Sequence, residues 1–177
     1  MVVEGAGFLL NDEMDDFSAK ANTPNGFGVV GGDSNAIAPG KRPLSSMAPT
    51  ILTHDGAVSM VIGTPGGSRI FTSVFQVLAD DYDYHLPLAE AQKQFRFHHQ
   101  LLPENVIFSE PWAPFAPDLV KALKVRGYTV QGQDWNGDIE AIQIEGRTPI
   151  PSADPRARGF ALVIHAGSAA EAGKAAP

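Results

Sequence analysis

The chain has no cysteine in 177 residues, which excludes disulfides, thiolate nucleophiles and thiolate metal sites. The compartment stays open, because a cysteine-free chain suits oxidising and reducing surroundings alike. Basic residues are few and scattered: 13 Lys and Arg stand against 20 Asp and Glu, for a net charge of −7. Nucleic-acid binding rests on clustered cations, so a phosphate-backbone partner is not expected. No apolar run approaches the roughly 18 to 20 residues that span a bilayer, and Met1 is not followed by a basic and then an apolar signal region. The reading is a soluble chain with neither membrane anchor nor signal peptide. There is no internal repeat.

What is present fits one domain with a single core, 44% apolar and 19% charged. Residues 2–10, VVEGAGFLL, read as an extended segment interrupted by glycines. Residues 22–40, NTPNGFGVVGGDSNAIAPG, are too rich in Gly, Asn and Pro for a regular element and read as a lid-like loop. A hairpin is expected next, with strands at 50–53 and 57–62 around His54-Asp55-Gly56 and the second strand buried on both faces. Ile70, Phe71, Val74, Phe75, Val77 and Leu78 recur at helical spacing. A second helix is expected from Pro87 and a third over 117–126, stopped by Gly127 before a strand at 128–130. Residues 138–150 and 159–167 are again strand-like. Strands, then helices, then strands imply an α+β fold with helices layered on a mostly antiparallel sheet. The domain is placed at 1–165, and the Ala/Gly-rich stretch 166–177 reads as a disordered tail.

Three stretches can carry chemistry, each with two readings. NDEMDD sets Asp12, Glu13, Asp15 and Asp16 close together, without the alternate spacing or the glycine of a calcium loop. The acids either point into water or share a cation; an ammonium offers three donors, and Glu13 and Asp16, three apart, can meet it from one side of a turn. No metal and no cofactor is expected. RPLSSMAPT places Ser45 and Ser46 between prolines, where hydroxyls either satisfy local backbone or clamp a carboxylate. Neither serine has the setting of a nucleophile. In GTPGGSRI a strand ends in two glycines at the mouth of a helix. That is either a tight turn or a set of free N–H donors from Gly66, Gly67 and Ser68 for an oxyanion. A Walker loop is excluded by the missing G-K-[ST] ending. His98 and His99 lack any metal or triad context and read as structural, on a helix. His54, His85 and His165 are isolated.

Taken in order, NDEMDDFS, a Gly-rich loop, KRPLSSMAPTI, GTPGGSRI, QFRFHHQ and ADPRARG resemble the small subunit of bacterial γ-glutamyltranspeptidase over residues 3–160. The resemblance implies an N-terminal nucleophile hydrolase fold, a four-layer αββα sandwich, of which this chain supplies the small-subunit portion beside a large subunit cut from the same precursor. It implies that Glu13 and Asp16 hold the α-ammonium of a γ-glutamyl group such as that of glutathione. Ser45 and Ser46 would hold its α-carboxylate together with an arginine of the large subunit. Gly66 and Gly67 would form the oxyanion hole, under a covering loop at 22–40 that carries Phe27. Relatives are periplasmic or secreted.

One departure accompanies the match. The family's nucleophile is a Thr at the start of the small subunit, whose free α-amine serves as base. The sequence given starts at Met1-Val2-Val3, downstream of that position, and Thr23, Thr50, Thr53, Thr64, Thr72, Thr129 and Thr148 are all internal. The isolated chain is therefore expected to be inactive. Two alternatives stand beside this reading: a non-catalytic remnant or γ-glutamyl-binding module, and a fragment of a sibling glutaryl-amide acylase of the cephalosporin type, whose substrate lacks the amine that Glu13 and Asp16 would hold.

Overall fold

The computed structural model describes residues 3–134 and 136–164, so His165 and the expected tail at 166–177 lie outside the described residues. The elements run β1 (Thr50–His54), β2 (Ala57–Gly63), α1 (Ile70–Tyr82), α2 (Leu88–Ala91), β3 (Phe97–His98), β4 (Val106–Ser109), α3 (Pro117–Val125), β5 (Thr129–Gly132), β6 (Glu140–Glu145) and β7 (Thr148–Ala153). Short 3-10 turns occupy Glu13–Asp16, Asp33–Asn35 and Gly67–Arg69.

The hairpin forms where Asp-Gly asks for it. Asp55 and Gly56 take φ of 50° and 77°, the left-handed pair that matches the twist of a two-residue hairpin. β2 then pairs with β6, and β6 with β7, giving an antiparallel sheet in the order β1-β2-β6-β7. A smaller sheet, β3-β4-β5, joins β4 to β5 in parallel through α3, since parallel neighbours need a crossover.

One face of the larger sheet makes the core. Met60 and Ile62 of β2 and Ala141 of β6 pack against Val74 and Val77 of α1 and Leu88 and Ala91 of α2, with Ile139 between them. The expectation that β2 is buried on both faces is corrected here. From Met60 its side chains alternate, so that Val61 faces outward with Ile51 and Ile142, and a register shift before Met60 leaves Val58 exposed as well. Helix α1 divides likewise: Ile70, Val74 and Val77 are buried, whereas Phe71 and Phe75 are exposed.

Other expectations are also revised. Residues 4–6 form a turn and the described part of 2–10 holds no strand, because Gly5 and Gly7 sit at φ of 78° and 73°. Residues 159–164 are not a strand. His98 lies on β3, not on a helix. Helix α2 is a single turn because the Gln92 carbonyl accepts from the Arg96 and Arg156 side chains, while the Arg96 N–H donates to Glu110 instead of continuing the helix. No helix among the described residues is long and apolar enough to cross a membrane.

Candidate functional site

The acid cluster folds as a 3-10 turn, Glu13–Asp16, in which side chains three apart eclipse. Glu13 and Asp16 therefore share a side of the turn, Asp16 buried and Glu13 half-buried, while Asp12 and Asp15 face solvent. The turn is fixed from behind. The Asp16 carbonyl accepts from Asn25 Nδ2 at 3.3 Å and from Asn35 Nδ2 at 2.8 Å.

Asn35 does more than cap. Its Oδ1 accepts the Leu44 N–H at 2.9 Å and its carbonyl accepts the Ser18 N–H at 3.0 Å. One side chain thus links the acid turn to the segment that carries Ser45 and Ser46. Ser45 is exposed, its Oγ accepting from the Met47 N–H at 3.2 Å, which is the local backbone role open to such a hydroxyl. Ser46 is half-buried and its hydroxyl has no partner among the described residues.

The 22–40 loop is ordered by its own polar groups. Asn25 Oδ1 accepts from the N–H groups of Phe27 and Val29 at 3.0 and 2.9 Å, and the Asn22 N–H reaches the Gly31 carbonyl at 2.8 Å. Lys41 Nζ closes the far end on the carbonyls of Ser34 and Ala36. An asparagine supplies both donor and acceptor to a backbone that has no ladder, so the loop's composition and its order are compatible.

The glycine turn joins β2 to α1. Gly66 and Gly67 take φ of 145° and 56°, and no acceptor among the described residues meets either N–H. A side chain at Gly67 would also crowd Phe27: a Cβ there would stand 3.0 Å from Phe27 Cδ1. Phe27 of the loop thus rests on the turn. Ser68 is buried and donates to Gln100 Oε1 at 2.7 Å. On the other side, Thr64 Oγ1 accepts the Asp138 N–H at 2.6 Å, tying the turn to the approach to β6.

The expected site residues are therefore gathered around one loop, though not into one cavity. Ser46 lines a cavity of ≈ 530 Å³ with Ser68, Val29, Val30 and Gln100, whereas Glu13, Asp16, Ser45, Gly66 and Gly67 lie outside its wall. Among the described residues no group of three or more His, Asp or Glu is placed to hold a metal ion.

Two features escaped the sequence reading. One is the set of organising amides, Asn25, Asn35 and Gln100, for which an asparagine in a glycine-rich loop is the only local signal. The other is a buried ion network. Arg96 Nη1 donates to Asp154 Oδ2 at 2.6 Å and to the Asn136 carbonyl at 2.9 Å, and Arg156 Nε meets both oxygens of Glu110 at 3.0 and 2.8 Å. Asp154 Oδ2 also accepts the Ile139 N–H. Burial lowers the pKa of Arg96 against the pull of Asp154, and burial raises those of Asp138 and Glu140 nearby. His98, in contact with Thr72 and Gln100, is likewise pushed below its ordinary value by burial.

The site joins an acid turn, a serine segment and a pair of N–H groups without acceptors on a mixed α/β scaffold, and comparison with known proteins gives the class and the family. The γ-glutamyltranspeptidase family model matches residues 1–164. The chain is 59% identical over 165 residues, 93% of its length, to the glutathione hydrolase proenzyme of Pseudomonas aeruginosa, and 46% identical over 144 residues, 81% of its length, to that of Escherichia coli. It spans about 30% and 24% of the lengths of these two relatives. Among solved structures, γ-glutamyltranspeptidase from Pseudomonas nitroreducens complexed with L-DON superposes with a TM-score of 0.86 at 57% identity, over 93% of this chain and 86% of that one. The chain belongs to the γ-glutamyltranspeptidase family, also described as glutathione hydrolases.

Proposed function

We propose that this chain supplies the substrate clamp and oxyanion hole of a γ-glutamyl acyl-transfer site. Glu13 and Asp16 take the α-ammonium, Ser45 and Ser46 the α-carboxylate, and the Gly66 and Gly67 N–H groups the oxygen of the γ-carbonyl as it gains charge. Glutathione and related γ-glutamyl amides are the substrate class. The observation that carries the reading is the Asn35 bridge, which joins the acid turn to the serine segment through Asp16 and Leu44. An anion clamp and a cation clamp held by one side chain suit a zwitterionic α-amino acid head.

The attacking group lies outside the residues placed here. Thr64 and Thr72 are engaged with Asp138 and His98, and Thr50, Thr53, Thr129 and Thr148 sit in strands. In the reaction a Thr hydroxyl attacks the γ-carbonyl, its proton passing to a free α-amine. The tetrahedral oxyanion then collapses, expelling the amine product and leaving an ester that water or an amino acid resolves. The partner in this reading is the remainder of the precursor. Its second sheet would stack on the apolar outer face that Ile51, Val61 and Ile142 leave open, completing four layers. The 22–40 loop then serves as the cover of the site.

The test is a chimera in which residues 1–164 replace the matching part of the P. aeruginosa proenzyme. Release of nitroaniline from γ-glutamyl-4-nitroanilide is expected from the chimera and not from the 177-residue chain alone. A chimera that folds and matures without turnover, or turnover by the lone chain, contradicts the proposal.

A further inference from the structure

Gln100 touches both the loop and the glycine turn through hydrogen bonds of a single carboxamide. Its Nε2 donates to the Gly28 carbonyl at 2.9 Å, while its Oε1 accepts from Ser68 Oγ at 2.7 Å and meets His98 Nε2 at 2.9 Å. The geometry settles its orientation, since the Gly28 carbonyl can only accept and the amide nitrogen must face it. Oε1 is then an acceptor, so His98 must donate from Nε2. Thr72 Oγ1 stands 3.0 Å from His98 Nδ1 and donates to the Arg69 carbonyl at 3.0 Å, at the end of the 3-10 turn that Gly67 begins.

We infer that Gln100 is a positioning residue that fastens the 22–40 loop to the Gly66 and Gly67 turn, so that seating of the loop and alignment of the turn's N–H donors are one coupled event. The inference rests on the proposed role of that turn. Two contacts support the coupling independently of Gln100's own bonds. Phe27, one residue before Gly28, rests against Gly67, and Ser46 and Ser68 share a cavity wall with Gln100. If Gly28 lifts, Phe27 leaves the turn and Oε1 loses its place beside Ser68. The side chain acts through the turn and touches no reacting atom.

The substitution Gln100→Glu separates the two arms. A carboxylate still accepts from Ser68 and His98 but cannot donate to Gly28. Amide exchange followed by NMR on the full chain is expected to quicken on the order of tenfold at Phe27, Gly28 and Val29 in the loop and at Arg69, whose N–H donates to the Gly66 carbonyl in the turn, with α3 unchanged, because α3 touches none of these groups. Ser68→Ala, which removes one hydroxyl, serves if the first variant unfolds, and is expected to quicken exchange in the loop through Gln100. Unchanged loop exchange in the variants, or an equal rise in α3, overturns the inference. Protection of Gly67 by added L-glutamate is scored separately in the unaltered chain; its absence counts against the clamp and leaves the latch standing.

Discussion

At the scale of single residues, His98 shows how burial turns a titratable group into a structural one. His98 is 2% exposed, between Thr72 and Gln100 and edge-on to Phe71, with the Arg69 charge nearby opposing its protonation. Burial is the largest cause of its lowered pKa, with the hydrogen bond to Gln100 acting the other way. A histidine with a lower pKa folded than unfolded contributes full stability above its ordinary 6.5, and that contribution is lost as pH falls through 6.5 towards the folded value. The melting temperature is expected to drop between about pH 7.5 and 5.5 in the unaltered chain and to drop less in His98→Gln. Equal slopes in the two would assign the fall to groups other than His98, and not to Asp138 or Glu140, whose raised pKa values add stability as pH falls.

The element scale is where long-range chemistry decides what local sequence could not. Hairpin β1-β2 was legible because Asp55-Gly56 states its own conformation, and α1 and α3 because apolar spacing and Gly127 mark their faces and ends. The single turn of α2 was not. Its helix stops at Gln92 because two arginines, one of them 64 positions away, take the carbonyl that a further turn would need. The alternation in β2 was hidden by its nearly continuous apolar run, which reads the same whether one face or both are covered by this chain. The three motifs proposed for the site stand as contiguous stretches in the sequence; the hydrogen bonds of Asn35 and Gln100 could not be read there, since they exist only through partners brought in by the fold.

The ion network belongs to this scale because it joins α2, β4 and the end of β7. Asp154 and Arg96 are 0% and 1% exposed, so removing one partner strands the other charge without solvent. Arg96→Met is expected to cost about 3–5 kcal/mol in urea unfolding. Replacing Arg96 and Asp154 together with apolar residues is expected to recover much of that loss, as burial of an unpaired carboxylate is then avoided. A single substitution costing under about 1 kcal/mol would mean that the network is open to water.

At the scale of the whole molecule, one sheet face is filled by α1 and α2 and the other leaves Ile51, Val61 and Ile142 exposed among the described residues, in a chain that spans about 30% of the P. aeruginosa relative. The account assigns these residues to recognition and charge stabilisation, and the attack to a group outside them. Its central claim is that the site is built for an α-amino acid head, with Glu13 and Asp16 as the reason. The most direct measurement compares kcat/KM for γ-glutamyl and glutaryl anilides in the P. aeruginosa chimera, with and without Asp16→Asn. The account predicts a preference for the γ-glutamyl substrate of about hundredfold or more, collapsing in Asp16→Asn through loss of the γ-glutamyl rate alone. Equal use of both anilides, or a preference untouched by the substitution, would contradict it.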